Sequence, residues 1–189
     1  MYHLQNIITS TPYRISLGGG GTDLPFYYQE KGGFLITAAI NHYLNVHLVH
    51  RNLDDKIFLQ YTQTEWEDKL QNLNHELIKS ILGYFNMNKS IQVSLISSMP
   101  SYTGLGASSS LTVGLVNAIT RMKKKHLSKE MLAKTAHYVE RKVACFDGGF
   151  QDQYIAALGG IQKMSIDQEG TVKCDSIHIE RDKLFKLKQ

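Results

Sequence analysis

Four apolar segments near the start of the chain are joined by connections too short to hold crossover helices. They are NIITSTPYRISL (6–17), GFLITAAIN (33–41), YLNVHLVHR (43–51) and KIFLQYT (56–62). Each is rich in Ile, Val, Leu, Tyr or Thr and is bounded by Gly, Asn or Asp, which is typical of strands. Because parallel neighbours need a long crossover connection, the segments predict antiparallel strands.

The rest of the chain alternates helical and strand patterns. Apolar residues at helical spacing predict an amphipathic helix over 73–86, and SIQVSLIS (90–97) predicts a further strand. A second helix runs through Leu111 to Met122, and a third begins near Ser128, a predicted N-cap with Glu130 in its first turn. DGGFQDQY then breaks the helix, and IQKMSI and TVKCDSIHI predict two last strands. This order favours an α+β domain, with a sheet that carries helices on one face.

Composition excludes several classes of protein. The 189 residues suffice for one domain with a substantial core, and 42% hydrophobic against 20% charged residues is ordinary for a globular chain. A net charge of +4 is a mild excess, so no nucleic-acid partner is implied. The sequence has neither a secretion signal nor an apolar run of roughly 20 residues, so we expect no membrane association. The two cysteines, Cys145 and Cys174, form no framework, which indicates a reducing compartment and the cytoplasm.

The stretch MPSYTGLGASSSLTVGLVNAI (99–119) is a glycine- and serine-rich loop that runs straight into a helix. The first N–H groups of a helix lack partners and carry a partial positive charge, so they stabilise phosphate oxygens. Gly104 and Gly106 would let the backbone approach a ligand, and the serine hydroxyls could bind phosphate or Mg²⁺. A serine-capped helix after a flexible turn explains the same residues, and this stretch alone does not choose between the two.

Two further stretches carry polar residues beside glycines. In RISLGGGGTDLPFYY (14–28), Thr22 and Asp23 follow four glycines and could hold sugar hydroxyls, although a long hairpin loop would read the same. In GGFQDQY (148–154), Asp152 lies in a predicted turn after a helix, where a turn or capping role is equally natural. Eight histidines show no zinc-site spacing, and the run RMKKKH is explained as a solvated helix end.

Taken together and in this order, the three stretches resemble the signature motifs of the GHMP kinases. MPSYTGLGASSS resembles the family's phosphate loop, PYRISLGGGGTDLP its substrate motif, and GGFQDQYIAALGG the segment with the catalytic aspartate. Within that superfamily the pattern is most similar to bacterial D-glycero-D-manno-heptose 7-phosphate kinases, which phosphorylate the anomeric hydroxyl to give the 1,7-bisphosphate. The resemblance implies the family's two-layer fold, with a left-handed β-α-β unit, across residues 1–189.

The resemblance also implies a role for each matching residue, with ATP and Mg²⁺ as cofactors and a sugar or sugar phosphate as substrate. Asp152 would accept or orient the proton of the sugar hydroxyl, and Arg14 would hold that carboxylate ionised or stabilise the transferring group. Ser108 and Glu140 would bind the metal. The residues implied to bind ATP are Pro100, Gly104, Leu105, Gly106, Ala107, Ser108, Ser109 and Ser110. Those implied to bind substrate are Gly19, Gly20, Gly21, Thr22, Asp23, Gln151 and Tyr154.

Three departures from the family pattern keep alternatives open. Ala107 replaces the first serine of the usual pair, and FDGGF stands where relatives often have a proline-containing turn. The chain also stops at ERDKLFKLKQ, whereas family members continue into a C-terminal domain that we expect to be absent here. A non-catalytic sugar- or nucleotide-binding protein, or an inactive truncated kinase, is therefore the alternative to a sugar kinase. A homodimer is compatible with the sequence, which does not determine the oligomeric state.

Overall fold

The computed structural model describes residues 6–100 and 103–180, and within them the strands form one seven-stranded sheet. The strands are β1 (Asn6–Gly18), β2 (Gly33–His50), β3 (Ile57–Gln60), β4 (Thr64–Glu67), β5 (Ile91–Ser97), β6 (Ile161–Ile166) and β7 (Val172–Ser176). Their order is β4-β3-β5-β2-β6-β7, with β1 paired to β2. The pairing is antiparallel except between β3 and β5, which are parallel.

Five α-helices accompany this sheet in the described ranges. They are α1 (Pro25–Lys31), α2 (Glu76–Tyr84), α3 (Ala107–Met122), α4 (Lys129–Tyr138) and α5 (Gln151–Leu158). A short 3₁₀ turn precedes α2 at Leu70–Asn72, and a π-helical turn at Val139–Val143 extends α4. The α+β class is thus confirmed. The parallel pair β3 and β5 is connected through α2, and the left-handed sense of a β-α-β unit remains a prediction.

The segments predicted as two strands over 33–41 and 43–51 form one strand instead. β2 is continuous from Gly33 to His50, and β1 follows it along nearly all of its length. The register changes where Pro12 pairs with Tyr43 but Arg14 pairs with Ala39, so β2 accommodates extra residues as a bulge. The prediction was wrong because a bulge interrupts the alternation of a strand in the way that a turn would.

The main core lies between the sheet and α3, which is buried along nearly its whole length. Close approach is possible because a Cβ at Gly114 would lie only 2.8 Å from Oγ1 of Thr11 on β1. α3 and α5 contact both β1 and β2, and α4 packs against α3 and α5. A second cluster lies under α5. Its buried members are Tyr28, Leu35, Ala133, Tyr154, Met164 and Ile166.

The starts of α4 and α5 can be compared with the sequence-based predictions. Ser128 caps α4 as predicted, since its Oγ accepts a hydrogen bond from the Met131 N–H at 3.1 Å. The predicted turn around Asp152 is wrong, because α5 begins at Gln151 and places Asp152 in its first turn. In the residues that the structure covers, none of the helices combines the length and apolar character needed to cross a bilayer.

Candidate active site

An arginine and an aspartate from distant parts of the chain form the centre of the site. Arg14 near the end of β1 donates from Nε to Oδ1 of Asp152 at 2.6 Å and from Nη2 to Oδ2 at 2.8 Å. Their side chains are 16% and 21% exposed, so the pair is partly shielded yet open on one side. This bidentate geometry fixes the orientation of the Asp152 carboxylate.

The glycine loop lies directly against this pair. Nη1 of Arg14 donates to the Gly104 carbonyl at 2.6 Å, and its backbone N–H donates to the Leu105 carbonyl at 3.0 Å. Gly106 has φ +78°, and a Cβ there would lie 3.1 Å from Arg14 Cγ and 3.4 Å from Asp152 Oδ2. The loop and the aspartate, predicted separately from sequence, are therefore brought together.

The start of α3 does not have the serine cap that was one explanation of the serine-rich stretch. Its N-cap is Gly106, and no side chain of the described residues caps it by a hydrogen bond. The serine-capped helix is therefore not what the described residues form, and the first N–H groups of α3 face the loop without a side-chain acceptor. Pro100 is exposed before the loop, and residues 101 and 102 lie outside the described ranges.

The three serines of α3 differ sharply in their contacts. Ser108 is exposed, and its hydroxyl has no hydrogen-bond partner among the described residues. Ser109 is fully buried and donates to Oε2 of Glu140 at 2.9 Å, whereas Ser110 donates to the Pro12 carbonyl at 2.8 Å. The structure pairs Glu140 with Ser109 rather than with Ser108, because successive helical residues point about 100° apart. Ser110 attaches α3 to β1.

Glu140 is a fully buried carboxylate beside this helix. Its Oε2 accepts from Ser109 and from Nε2 of Gln153, the latter at 2.8 Å. Its Oε1 has no hydrogen-bond partner in the described residues and lies 3.6 Å from Nη1 of Arg141. A free carboxylate oxygen next to a hydroxyl is a donor set of the type Mg²⁺ prefers, so the residues present fit that ion. No group of three or more His, Cys, Asp or Glu in the described ranges could hold a metal by itself.

The glycine-rich loop that was predicted to bind substrate is held against the sheet. Gly19 has φ +76°, and a Cβ there would lie 2.1 Å from the Phe34 carbonyl oxygen, so this position requires glycine. Gly20 and Gly21 continue the loop, which lies beside the start of β2. The hydroxyl of Thr22 contacts the Gly19 and Phe34 carbonyls at 2.7 and 2.9 Å and accepts from the Phe34 N–H. Thr22 thus holds the loop in place, contrary to the expectation that its hydroxyl is free for a sugar.

Asp23 connects this glycine-rich loop to the helix that carries Asp152. It is 5% exposed, and its Oδ2 accepts from the backbone N–H of Gln151 at 2.9 Å. The side-chain Nε2 of Gln151 is buried without a partner in the described ranges. Tyr154 lies in the second core, and burial raises the pKa of its hydroxyl to about 12. The structure therefore gives Tyr154 a packing position rather than the predicted substrate-facing one.

Three residues near Asp152 escaped the sequence-based prediction. Gln153 bridges Ser109 and Glu140, and Arg141 donates to the Asp147 carbonyl at 2.8 Å in the loop before α5. A Cβ at Gly149 would lie 2.1 Å from Asp23 Oδ2. The adjacent glycines of DGGF were a signal for such close packing, whereas nothing local distinguishes Gln153 from an exposed glutamine.

The fold and the site define an α+β domain that presents a glycine loop at a helix N-terminus beside an arginine–aspartate pair. Residues 72–160 match the family model described as the GHMP kinases N terminal domain. This part of the chain is therefore similar to the N-terminal domain of the GHMP kinases. The resemblance proposed from the motifs is confirmed.

Individual relatives agree with this assignment. The chain is 32% identical, over 94% of its length and 56% of the relative, to D-glycero-alpha-D-manno-heptose 7-phosphate kinase of Campylobacter jejuni. The crystal structure of a D-glycero-D-manno-heptose 1-phosphate kinase from Bacteriodes thetaiotaomicron superposes with a TM-score of 0.83 at 26% identity, covering 92% of this chain and 60% of that one. Galactokinase of Lactococcus lactis has a TM-score of 0.71 at 18% identity, over 93% and 48%, and so shares the fold. The chain spans about half to three fifths of the length of these relatives.

Proposed function

We propose that the protein transfers the γ-phosphoryl group of ATP to a hydroxyl of a sugar or sugar phosphate. The observation that carries the proposal is the Asp152 carboxylate, held by Arg14, whose Nη1 also donates to the Gly104 carbonyl of the glycine loop before α3. Phosphoryl transfer needs a positioned nucleophile and a cradle for the phosphates more than it needs covalent chemistry. In this proposal Asp152 would position the sugar hydroxyl and the glycine loop beside it would hold the phosphates.

In this mechanism the sugar oxygen forms a bond to the γ-phosphorus while the bond between that phosphorus and the bridging oxygen of ADP breaks. Asp152 orients the attacking hydroxyl and accepts its proton. Both oxygens of the carboxylate are already bonded by Arg14, so only their remaining lone pairs point toward a substrate. Arg14 therefore keeps the carboxylate oriented and adds positive charge beside the transferring group.

The phosphate cradle consists of backbone groups from Gly104 to Ser110, with the dipole of the 16-residue helix α3 behind them. A bound Mg²⁺ would neutralise charge on the triphosphate, and Glu140 with Ser109 is the pair that would hold it. Ala107 removes one hydroxyl from the loop but none of its backbone N–H groups. The use of ATP and the two free cysteines favour a cytoplasmic location.

For the substrate we propose the anomeric hydroxyl of D-glycero-D-manno-heptose 7-phosphate, to give the 1,7-bisphosphate. Support comes from the name of the Campylobacter jejuni relative, which aligns with nearly all of this chain. The related Bacteriodes thetaiotaomicron structure is named for a heptose 1-phosphate, so the position of the substrate phosphate has to be measured. A panel with both heptose phosphates, the free heptose and galactose makes that distinction.

The test is ADP release by the full-length protein with this panel, for the native protein and for Asp152→Asn. We expect the variant to lose about 10²–10⁴ in kcat while its affinity for ATP changes little. Asp175→Asn is the matched control, because Asp175 is an exposed carboxylate that pairs with Lys163 on the neighbouring strand. Unchanged turnover in Asp152→Asn would refute the role of Asp152. Binding of nucleotide and sugar by the native protein without any ADP release would instead establish the non-catalytic alternative.

A further inference from the structure

Three buried side chains close a ring of hydrogen bonds behind the proposed metal-binding pair. Nε2 of Gln153 donates to Oγ of Ser109 at 2.9 Å and to Oε2 of Glu140 at 2.8 Å, and Oγ of Ser109 donates to the same Oε2 at 2.9 Å. All three residues are fully buried. They come from α5, α3 and the π-helical turn after α4, so the ring ties together three elements of the site.

The ring determines the direction of each hydrogen bond. A carboxylate only accepts, so the Gln153 atom that faces Glu140 is the amide nitrogen, and both of its hydrogens are used within the ring. The hydroxyl proton of Ser109 is then directed at Glu140, and one lone pair of its oxygen is occupied by Gln153. The second lone pair of Ser109 Oγ remains for another partner.

This arrangement leaves two buried acceptors without a hydrogen bond from the described residues, one of which, Oε1 of Glu140, lies 3.6 Å from Nη1 of Arg141. Oε1 of Glu140 and Oε1 of Gln153 have no hydrogen-bond partner among the described residues. A buried acceptor without a donor is destabilising, and a glutamine with a purely structural role would be expected to satisfy its carbonyl. Two buried oxygens without hydrogen bonds beside a hydroxyl form an environment that favours positive charge, of which Arg141 supplies part.

We propose that Gln153 is a positioning residue that fixes the rotamers of Glu140 and Ser109 so that their free lone pairs receive the divalent cation of the ATP complex. The inference rests on the proposed kinase function and adds to it a residue that the sequence motifs did not indicate. Gln153 acts through Glu140 and Ser109, and it follows Asp152 directly in α5. A change in this ring is therefore expected to weaken metal affinity more than sugar binding.

The experiment compares Gln153→Met with the native full-length protein. Methionine fills a similar volume but donates no hydrogen bond, so Glu140 loses one of the donors that orient it. Loss of a partner that orients a metal ligand lowers metal affinity about 10–100-fold. We expect the half-saturating Mg²⁺ concentration for turnover to rise by at least about tenfold, with kcat at saturating Mg²⁺ largely restored and KM for the sugar unchanged. Binding of Mn²⁺ in the presence of ADP, followed by electron paramagnetic resonance, should weaken by the same factor.

Gln162→Met is the matched control. Gln162 is 4% exposed, and its Nε2 also donates two hydrogen bonds, to the Gly159 carbonyl and to Ser176 Oγ, at a place remote from Glu140. It should lower the melting temperature without moving the Mn²⁺ titration. Should Gln153→Met fail to fold, Gln153→Asn keeps the amide but withdraws it by one methylene, and the same weakening is expected.

The outcomes separate this inference from the function on which it rests. Native binding of Mn²⁺ with ADP that is unchanged in both Gln153 variants, or weakened equally in Gln162→Met, overturns the positioning role alone. A native protein that binds no Mn²⁺ with ADP and releases no ADP overturns the kinase proposal and this inference with it. A selective weakening in the Gln153 variants supports the inference.

Discussion

The tightest packing near the site is between Gly149 and Asp23, and it leads to a sharp prediction for Gly149→Ala. A Cβ at position 149 would lie 2.1 Å from Asp23 Oδ2, 2.3 Å from its Cγ and 2.7 Å from its backbone carbonyl oxygen. Ordinary contacts of this kind lie beyond about 3.4 Å, so one of the two segments has to move by more than 1 Å. Position 149 has no left-handed φ, which makes the effect purely steric.

The magnitude follows from what the movement breaks. Asp23 is buried and accepts from the Gln151 N–H at the start of α5, and a hydrogen bond to a charged group is worth about 1.5–3 kcal/mol. Overpacking of a tight site adds about 1–3 kcal/mol. We therefore expect a loss of about 2.5–6 kcal/mol in the free energy of unfolding, which at about 2–4 °C per kcal/mol lowers Tm by about 5–24 °C.

Thermal unfolding of the native protein, Gly149→Ala and Gly18→Ala is the assay. Gly18 is the control because a Cβ there would meet no atom within 4 Å and its φ is not left-handed. In the double variant Gly149→Ala with Asp23→Ser, the shorter side chain makes room for the methyl group, so the two changes should couple by at least about 1 kcal/mol. The reasoning is refuted if Gly149→Ala melts within 2 °C of Gly18→Ala, or if the two changes are additive.

The helix α4 supports two smaller predictions. Ser128→Ala removes the cap that bonds the Met131 N–H and should cost about 1 kcal/mol, seen as a fall of about 2–4 °C in Tm, while an unchanged Tm would contradict the capping role. His137 stacks on Phe150 with ring centroids 4.2 Å apart, and burial lowers its pKa to about 4. Because the unfolded chain binds this proton more readily, with a pKa of about 6.5, stability is full above that pH and falls as the pH drops toward 4. Between pH 7 and pH 5 the free energy of unfolding should fall by an amount on the order of 1–2 kcal/mol. The fall should be smaller in His137→Phe. Equal pH dependence of unfolding in the two proteins would exclude His137 as its source.

The elements that local chemistry determines were predictable from the sequence. The alternation in β1, the apolar spacing of α3 and the cap at Ser128 each depend on residues within a few positions of one another, and the structure has all three. The start of α5 was not predictable in this way. Gln151 and Gln153 lie on its buried side, so a hydrophobic pattern cannot distinguish that helix from a polar turn.

In the candidate site, too, some features were predictable from the sequence and others depend on tertiary packing. The order of the three motifs indicated that the glycine loop and Asp152 belong to one site, and in the structure Arg14 forms hydrogen bonds to both. The choice among Ser108, Ser109 and Ser110 depends on where α4 crosses α3, which is information from tertiary packing. Gln153 was missed for the same reason, since its partners lie 13 and 44 positions away in the sequence.

The long strand β2 has a consequence for how the site can assemble. Its first half, Gly33–Ala38, pairs with β6, and its second half, Leu44–His50, pairs with β5, while β1 lines the opposite edge of both. Arg14 is delivered by β1 early in the chain, but Asp152 precedes β6 and reaches Arg14 only when the last third of the fold docks on β2. Contacts of such large sequence separation slow folding and make it cooperative. During synthesis, therefore, a chain that has not yet reached Asp152 cannot present the arginine–aspartate pair, and a break anywhere along β2 should abolish the site and the sheet together.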